Sequence, residues 1–395
     1  MFNEDNFGAF SRIDDVVERF FTVTSKSYRP FPQKQSQRSL QPNVIPSYEI
    51  LRRSDLSSSM STANNQLREL GYVPLLRPHP TLESRGMLYI LPLSNKILEA
   101  KQNVKTPLIL FGLTLISVTF VGIMIWDMFQ QIQPGINLIL TSFHYVASLI
   151  GIVGIHEIGH LTASRIHGVK ASWPYFIPFP FGYGTMGAFI SQKTPIRSRN
   201  DLFDVGLAGP IFGLIIALFF TIIGLWISIT VPTTAVPENL RQNIIFSNLI
   251  FSSPDRIRIL LFEIITTFFF PNLETNMELI LHPMALAGYI GLLLTGLNLI
   301  PIGQLDGGHV ARSLVSEKNH RTITYISALL MMFINPILAI LVLLMYSQTG
   351  HAGPLDDLSS VSLSRKATAA FAVILMILCL PIPANIFRLL FPTFM

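Results

Sequence analysis

From Pro107 to Trp126 the chain runs about 20 residues without a charged side chain, long enough to cross the ~30 Å hydrocarbon core of a bilayer as one helix. No water reaches backbone groups in that solvent, so such a segment must close its hydrogen bonds within itself. Further apolar stretches follow at Gly135–His167, Phe203–Val231, Pro283–Pro301, Thr322–Tyr346 and Ala367–Phe387. Pro336 is expected to kink the fifth stretch, and Pro381 and Pro383 interrupt the last. Only 13% of the residues are charged, against about 25% in soluble domains. The fold class expected is an α-helical multi-pass membrane protein with about six transmembrane helices.

Two regions depart from plain spans. Residues 171–200 are apolar but crowded with Pro, Gly and aromatics, as in Trp173–Tyr183. Broken backbone of this kind needs protein partners in lipid, so a re-entrant loop or hairpin packed against protein is expected. Residues 232–282 form a loop whose short apolar patch, Ile259–Phe270, suits the membrane interface rather than a crossing.

Residues 1–106 hold 14 of the 28 Lys and Arg and are otherwise polar. They are expected to form a small soluble α+β domain, with 107–346 the membrane core and 347–395 a polar loop and last helix. Within the first domain, Phe20–Thr24 reads as a strand, and Tyr72–Arg77 and Gly86–Leu91 as a hairpin. Residues 47–70 read as helix-forming stretches broken by Ser57–Ser59, and Gln33–Pro42 as a linker. The acidic first twenty residues do not suit an organellar transit peptide.

Net charge is +5, but no zinc knuckle or basic–aromatic motif points to nucleic acid. A basic flank before a span instead faces anionic lipid on the cytoplasmic side. With the N-terminus inside, inner segments also gain Arg165, Lys170, Lys193, Arg197, Arg199, Arg312, Lys318, Arg321 and Arg388. Outer segments keep only Arg241, Arg256, Arg258, Arg365 and Lys366. The bias places both termini inside, in what is expected to be a prokaryotic plasma membrane.

The second span carries His156-Glu157-Ile158-Gly159-His160. On a helix, residues i and i+4 share a face, so two imidazoles can grip one zinc ion while Glu157 serves as general base. Bound zinc lowers the pKa of water toward ~7. A chance match is the alternative, but ionisable groups inside a span are costly, by ~2.5–3.5 kcal/mol for a charged one at the centre. The single cysteine, Cys379, rules out a cysteine site and an internal disulfide. A catalytic zinc usually has three protein ligands. From spacing alone, Asp306 is either the third ligand or a helix N-cap, and His309 is a rival ligand. His144 reads as a satisfied polar residue.

Asp306 stands in Asn298-Leu-Ile-Pro301-Ile-Gly-Gln-Leu305-Asp306-Gly307-Gly308-His309. The two motifs together resemble the site-2 protease family of intramembrane zinc metalloproteases, in its archaeal, cyanobacterial or plastid-like branch. That family's pattern is His-Glu-x-x-His plus a distant Asn-x-x-Pro-x-x-x-Leu-Asp-Gly. Asp204–Gly213, with Ala208-Gly209-Pro210, is similar to its third conserved helix, and the likeness spans about residues 107–345. It implies one zinc per chain on His156, His160 and Asp306, with Glu157 activating water and Asn298 holding substrate backbone or oxyanion. It implies transmembrane protein substrates, unwound against a β-like element at Gly184–Ile190 near the cytoplasmic side. The 232–282 loop is too short for the PDZ domain some members insert there. A metal transporter is a competing reading, for which internal symmetry would be expected. A non-proteolytic chaperone-like homologue is another. Residues 1–106 read as a recruiting domain or a structural plug.

Overall fold

A computed structural model describes residues 4–30, 44–53, 55–93, 104–241, 257–333 and 336–391. These residues are mostly helical, and among them are three helices long and apolar enough to cross a membrane and several small sheets.

The N-terminal part packs helices α1 (Glu4–Phe20) and α2 (Leu56–Glu69) with a four-stranded antiparallel sheet, β1 (Val23–Pro30), β2 (Val44–Leu51), β3 (Tyr72–Pro78) and β4 (Arg85–Pro92). The expected hairpin is β3–β4, with Leu75 opposite Tyr89. Three other expectations fail, the first because residues 47–51, read as helix-forming, lie in strand β2. Phe20 closes α1, whose Phe10, Ile13, Val16 and Val17 recur at helical spacing and are buried, and the strand starts at Val23. Ser57–Ser59 do not break a helix. They occupy the first turn of α2, where Ser58 Oγ donates to the Asp55 carbonyl, a position that suits serine's local bonding. The expected linker at 33–42 lies outside the described residues.

The helical bundle is built on α3 (Lys105–Ile132), α4 (Leu138–Ile166) and α5 (Arg199–Trp226), the three of membrane length. Asn137 caps α4 and Ser198 forms a capping box with Asp201 on α5, so each start satisfies donors that a helix leaves unpaired. Between α4 and α5 lies the hairpin β5 (Tyr175–Phe179) and β6 (Gly184–Phe189). Gly184 has φ +91° and sits against the backbone of Val118 on α3, so a side chain is excluded there on both counts. Tyr145 on α4 donates to the Tyr183 carbonyl at 2.8 Å and pins the turn.

Past α5, β7 (Ile229–Pro232) pairs with β9 (Met277–Ile280), while β8 (Arg258–Ile259) leads into α6 (Leu260–Phe269). Helix α7 (Pro283–Leu299) then returns beside α5. Small residues bring the two backbones together: Gly288 abuts Thr221, and Gly291 abuts Ala217. Helix α8 (Asp306–Leu314) follows.

The fifth expected span is two helices, α9 (Glu317–Met332) and α10 (Pro336–Thr349). Proline lacks the N–H that would continue the ladder. The pair ends on the side where it began: Gln304 Nε2 donates to the Gly350 carbonyl, and His309 meets His351 at 2.8 Å. Residues 354–357 then run between β3 and residues 196–198, with Leu76 and Leu355 bonded backbone to backbone. Helix α11 (Leu363–Cys379) leaves from the same side, and Arg365 grips both carboxylate oxygens of Asp204 near the start of α5. Arg365 was expected on the outer face. It lies instead with Arg197 and Arg199, because the segment before it doubles back.

Candidate metal centre

Helix α4 presents His156 and His160 one turn apart, with their Nε2 atoms 3.1 Å from each other. Asp306 reaches them from α8. Its Oδ2 lies 3.2 Å from His156 Nε2 and its Oδ1 3.2 Å from His160 Nε2. Local sequence explains the approach. Pro301 cannot prolong α7, and Gly303, at φ +51°, bends the chain back. Gly307 lies directly on the Leu299 carbonyl, where any Cβ would overlap it.

The donor set fits zinc. An ion with ligands at ~2.0–2.1 Å in tetrahedral array has ligand–ligand edges of about 3.3–3.4 Å, close to the separation of the two Nε2 atoms and to that of each from one oxygen of the Asp306 carboxylate. One donor atom from each residue lies within 4.8 Å of the others, and among the described residues no other His, Cys, Asp or Glu group of three does so. His160 Nδ1 lies 2.7 Å from the Val205 carbonyl. Its Nδ1–H therefore donates there, and Nε2 presents a lone pair inward. Gly209 and Gly213 on α5 leave the room in which the rings of His160 and His156 lie. Neither Val205 nor this glycine spacing was recognised from sequence as part of the site. The recurrence Gly206, Gly209, Gly213 was the available signal of a smooth helix face.

Glu157 lies beside the pair, 3% exposed. Asn298 faces the site from the end of α7, its Nδ2 3.5 Å from His156 Nε2, too long for a hydrogen bond. Two cavities, of about 190 and 70 Å³, flank His156 and Glu157, and both are walled by Asn298 and by Ala188 of β6. In the larger, Phe189, Ile190 and Gln192 continue that wall. Among the described residues hairpin β5–β6 has two strands only, and no third strand encloses β6. His309 borders the larger cavity but uses Nδ1 on His351 and stands outside the three-residue group. His144 pairs with His282, ring centres 5.0 Å apart, beside a separate cavity near the start of α4.

The family model described as Peptidase family M50 matches residues 144–345. The chain is 27% identical over 238 residues to "Probable zinc metalloprotease EGY2, chloroplastic" of Arabidopsis thaliana. It is 31% identical over 243 residues to "Probable zinc metalloprotease EGY1, chloroplastic" of the same plant. Each alignment covers 59% of this chain but only 40% and 41% of the relatives, so the chain spans about two fifths of their length. No solved structure matches it.

Proposed function

The chain belongs to peptidase family M50, and from that premise we propose that it is a membrane-embedded zinc endopeptidase cleaving peptide bonds in or near transmembrane segments of membrane proteins. The observation that carries this reading is the convergence, at zinc-ligand spacing, of two imidazoles on a helix of membrane length with a carboxylate from α8, and a buried glutamate beside them. His156, His160 and Asp306 would hold one zinc ion. Bound there, zinc would supply Lewis-acid chemistry that makes water a competent nucleophile at neutral pH.

The chain's own groups supply the rest. Glu157 accepts the proton of the attacking water and passes it to the leaving amine. The amide N–H of Asn298 donates to the scissile carbonyl oxygen as charge builds there. A helical substrate hides its peptide bonds within its own hydrogen bonds. The unenclosed strand β6, lying along the cavity wall, offers replacement partners to an unwound segment.

In this reading the bundle enters the membrane about six times, α9 and α10 returning together to the side they left, and the hairpin enters it from the cytoplasmic side. Residues 1–106 and the 347–366 loop are cytoplasmic. A prokaryotic plasma membrane is the proposed location, whereas both Arabidopsis relatives carry the word chloroplastic in their names. A transport or chaperone-like role is not favoured, because Glu157 accompanies a complete ligand set. The ligand assignment is tested by Asp306→Ala, with zinc measured by elemental analysis. Zinc content should fall well below one per chain. Full occupancy would transfer the third position to another group, His309 first.

A further inference from the structure

Another cavity lies apart from the candidate metal centre. It lies between the N-terminal part and the bundle and has a volume of about 520 Å³, within the ~300–1,000 Å³ of small-molecule sites. One wall is α2, with Ser57, Ser61 and Asn64. The facing wall is formed by the end of α4 at Arg165–Gly168 and by the start of α5 at Arg197 and Ser198. Little more than one helical turn separates Arg165 from His160.

Acidic groups on this cavity already have partners. Asp201 and its neighbour Asp204 both bond His167, Asp204 also takes the Arg365 fork, and Asp356 accepts from Ser359 and two backbone N–H groups. The remaining cations do not. Among the described residues no carboxylate pairs with Arg165, Arg197 or the adjoining Arg68. The Nε atoms of Arg68 and Arg197 are buried without a hydrogen-bond partner. Burial and the like charge of Arg197 both push the Arg68 guanidinium below its ordinary value. Asn64 is 3% exposed, lines the cavity, and has neither amide atom bonded. A buried amide left without partners is costly, so a ligand that supplies them is favoured. The start of the 28-residue helix α5 adds the positive end of its dipole to the same wall.

Unpaired guanidiniums, an orphaned amide, serine hydroxyls and a helix start converge on one space. We propose that this seam binds a phosphate-bearing anion, held by Arg197 from the bundle and Asn64 from α2. The ligand therefore bridges the two parts of the protein. Guanidinium forks match phosphate oxygens in geometry and charge, and Asn64 can donate to a third oxygen. The same group is offered by free phosphate compounds and by anionic lipid headgroups. Ile166, 75% exposed on the cavity rim, lies where a headgroup's glycerol would emerge.

The test uses the full chain in nanodiscs. In one arm the lipid is phosphatidylcholine alone and radiolabelled inorganic phosphate or pyrophosphate is titrated at constant ionic strength against chloride. In the other, phosphatidylglycerol replaces part of the lipid and retained lipid is counted by native mass spectrometry. Saturable binding in the first arm identifies a soluble phosphate, and retention in the second a headgroup. Either result, with loss of at least ~10-fold in Arg197→Gln and in Asn64→Leu, is the outcome expected for one lost charge-assisted or buried bond. Unchanged binding in both variants overturns the proposal. If a variant fails to fold, the wild-type arms still decide: no phosphate-specific binding in either arm refutes it.

Discussion

Gly209→Ala should cost the protein its metal while leaving its fold nearly intact. A Cβ at this position would overlap the Nε2, Cδ2 and Cε1 atoms of His160. Ordinary contact would require the ring to retreat by roughly 1 Å, whereas ligand positions tolerate only about ±0.2 Å. The ring has no easy retreat, because Nδ1 is tied to the Val205 carbonyl on the same helix as Gly209. Overpacking costs ~1–3 kcal/mol, and removing a mid-helix glycine returns ~0.5–1 kcal/mol. The net cost is therefore about 0–2.5 kcal/mol, within what a stable fold tolerates. Zinc affinity, by contrast, should fall at least ~10–100-fold, the range seen when a ligand's support is disturbed. Competition with a fluorescent chelator reads the affinity, and a thermal melt of the apoprotein reads the fold. Gly112→Ala is the control, since a Cβ there meets nothing within 4 Å, and it should keep wild-type affinity. Wild-type affinity in Gly209→Ala would refute the packing of His160 on α5.

Two further outcomes follow from the polar frame around the site. Asp357 joins Arg312, 1% exposed, and Arg199, so Asp357→Ala strands two guanidiniums and should destabilise the fold by ~3–5 kcal/mol in denaturant melts. His320 and His351 are held at about 4 and about 2, chiefly by burial, with the like charge of Arg312 contributing to both. Unfolded histidine titrates near 6.5. Below that pH the unfolded chain binds protons that the folded one refuses, so stability should fall from pH 6.5 toward 4, by up to about 1.4 kcal/mol per pH unit for each group. His351→Gln should flatten that slope, and an equal slope in the variant would contradict the burial of His351.

The convergence of the candidate metal ligands was legible in sequence because these residues are expensive where they stand. His156, Glu157 and His160 interrupt an apolar run, and Asp306 follows another beside two glycines. The hairpin over residues 171–200 was legible for a related reason, since its Pro and Gly could not continue a helix. What was missed depends on partners that sequence spacing does not name. The phase of Phe10, Ile13, Val16 and Val17 marks α1, yet a short apolar stretch at Phe20 fits a strand as well. The path of residues 354–357 is fixed by backbone bonds to Leu76, Ile196 and Arg197, and backbone donors leave no trace in side-chain pattern. Charge counting set Arg365 outside because it presumed one crossing through Pro336, while the structure spends that arginine on Asp204.

The central claim is metal-dependent hydrolysis within a membrane-spanning peptide, and purified Glu157→Gln tests it most directly. Wild type and variant are placed in proteoliposomes with a single-span substrate, zinc is measured in both, and mass spectrometry maps any cut. Wild type should cut within or beside the apolar segment, while the variant keeps stoichiometric zinc and yields no product. Equal cleavage by the zinc-loaded variant, or no cleavage of spanning substrates by the zinc-loaded wild type, would contradict it.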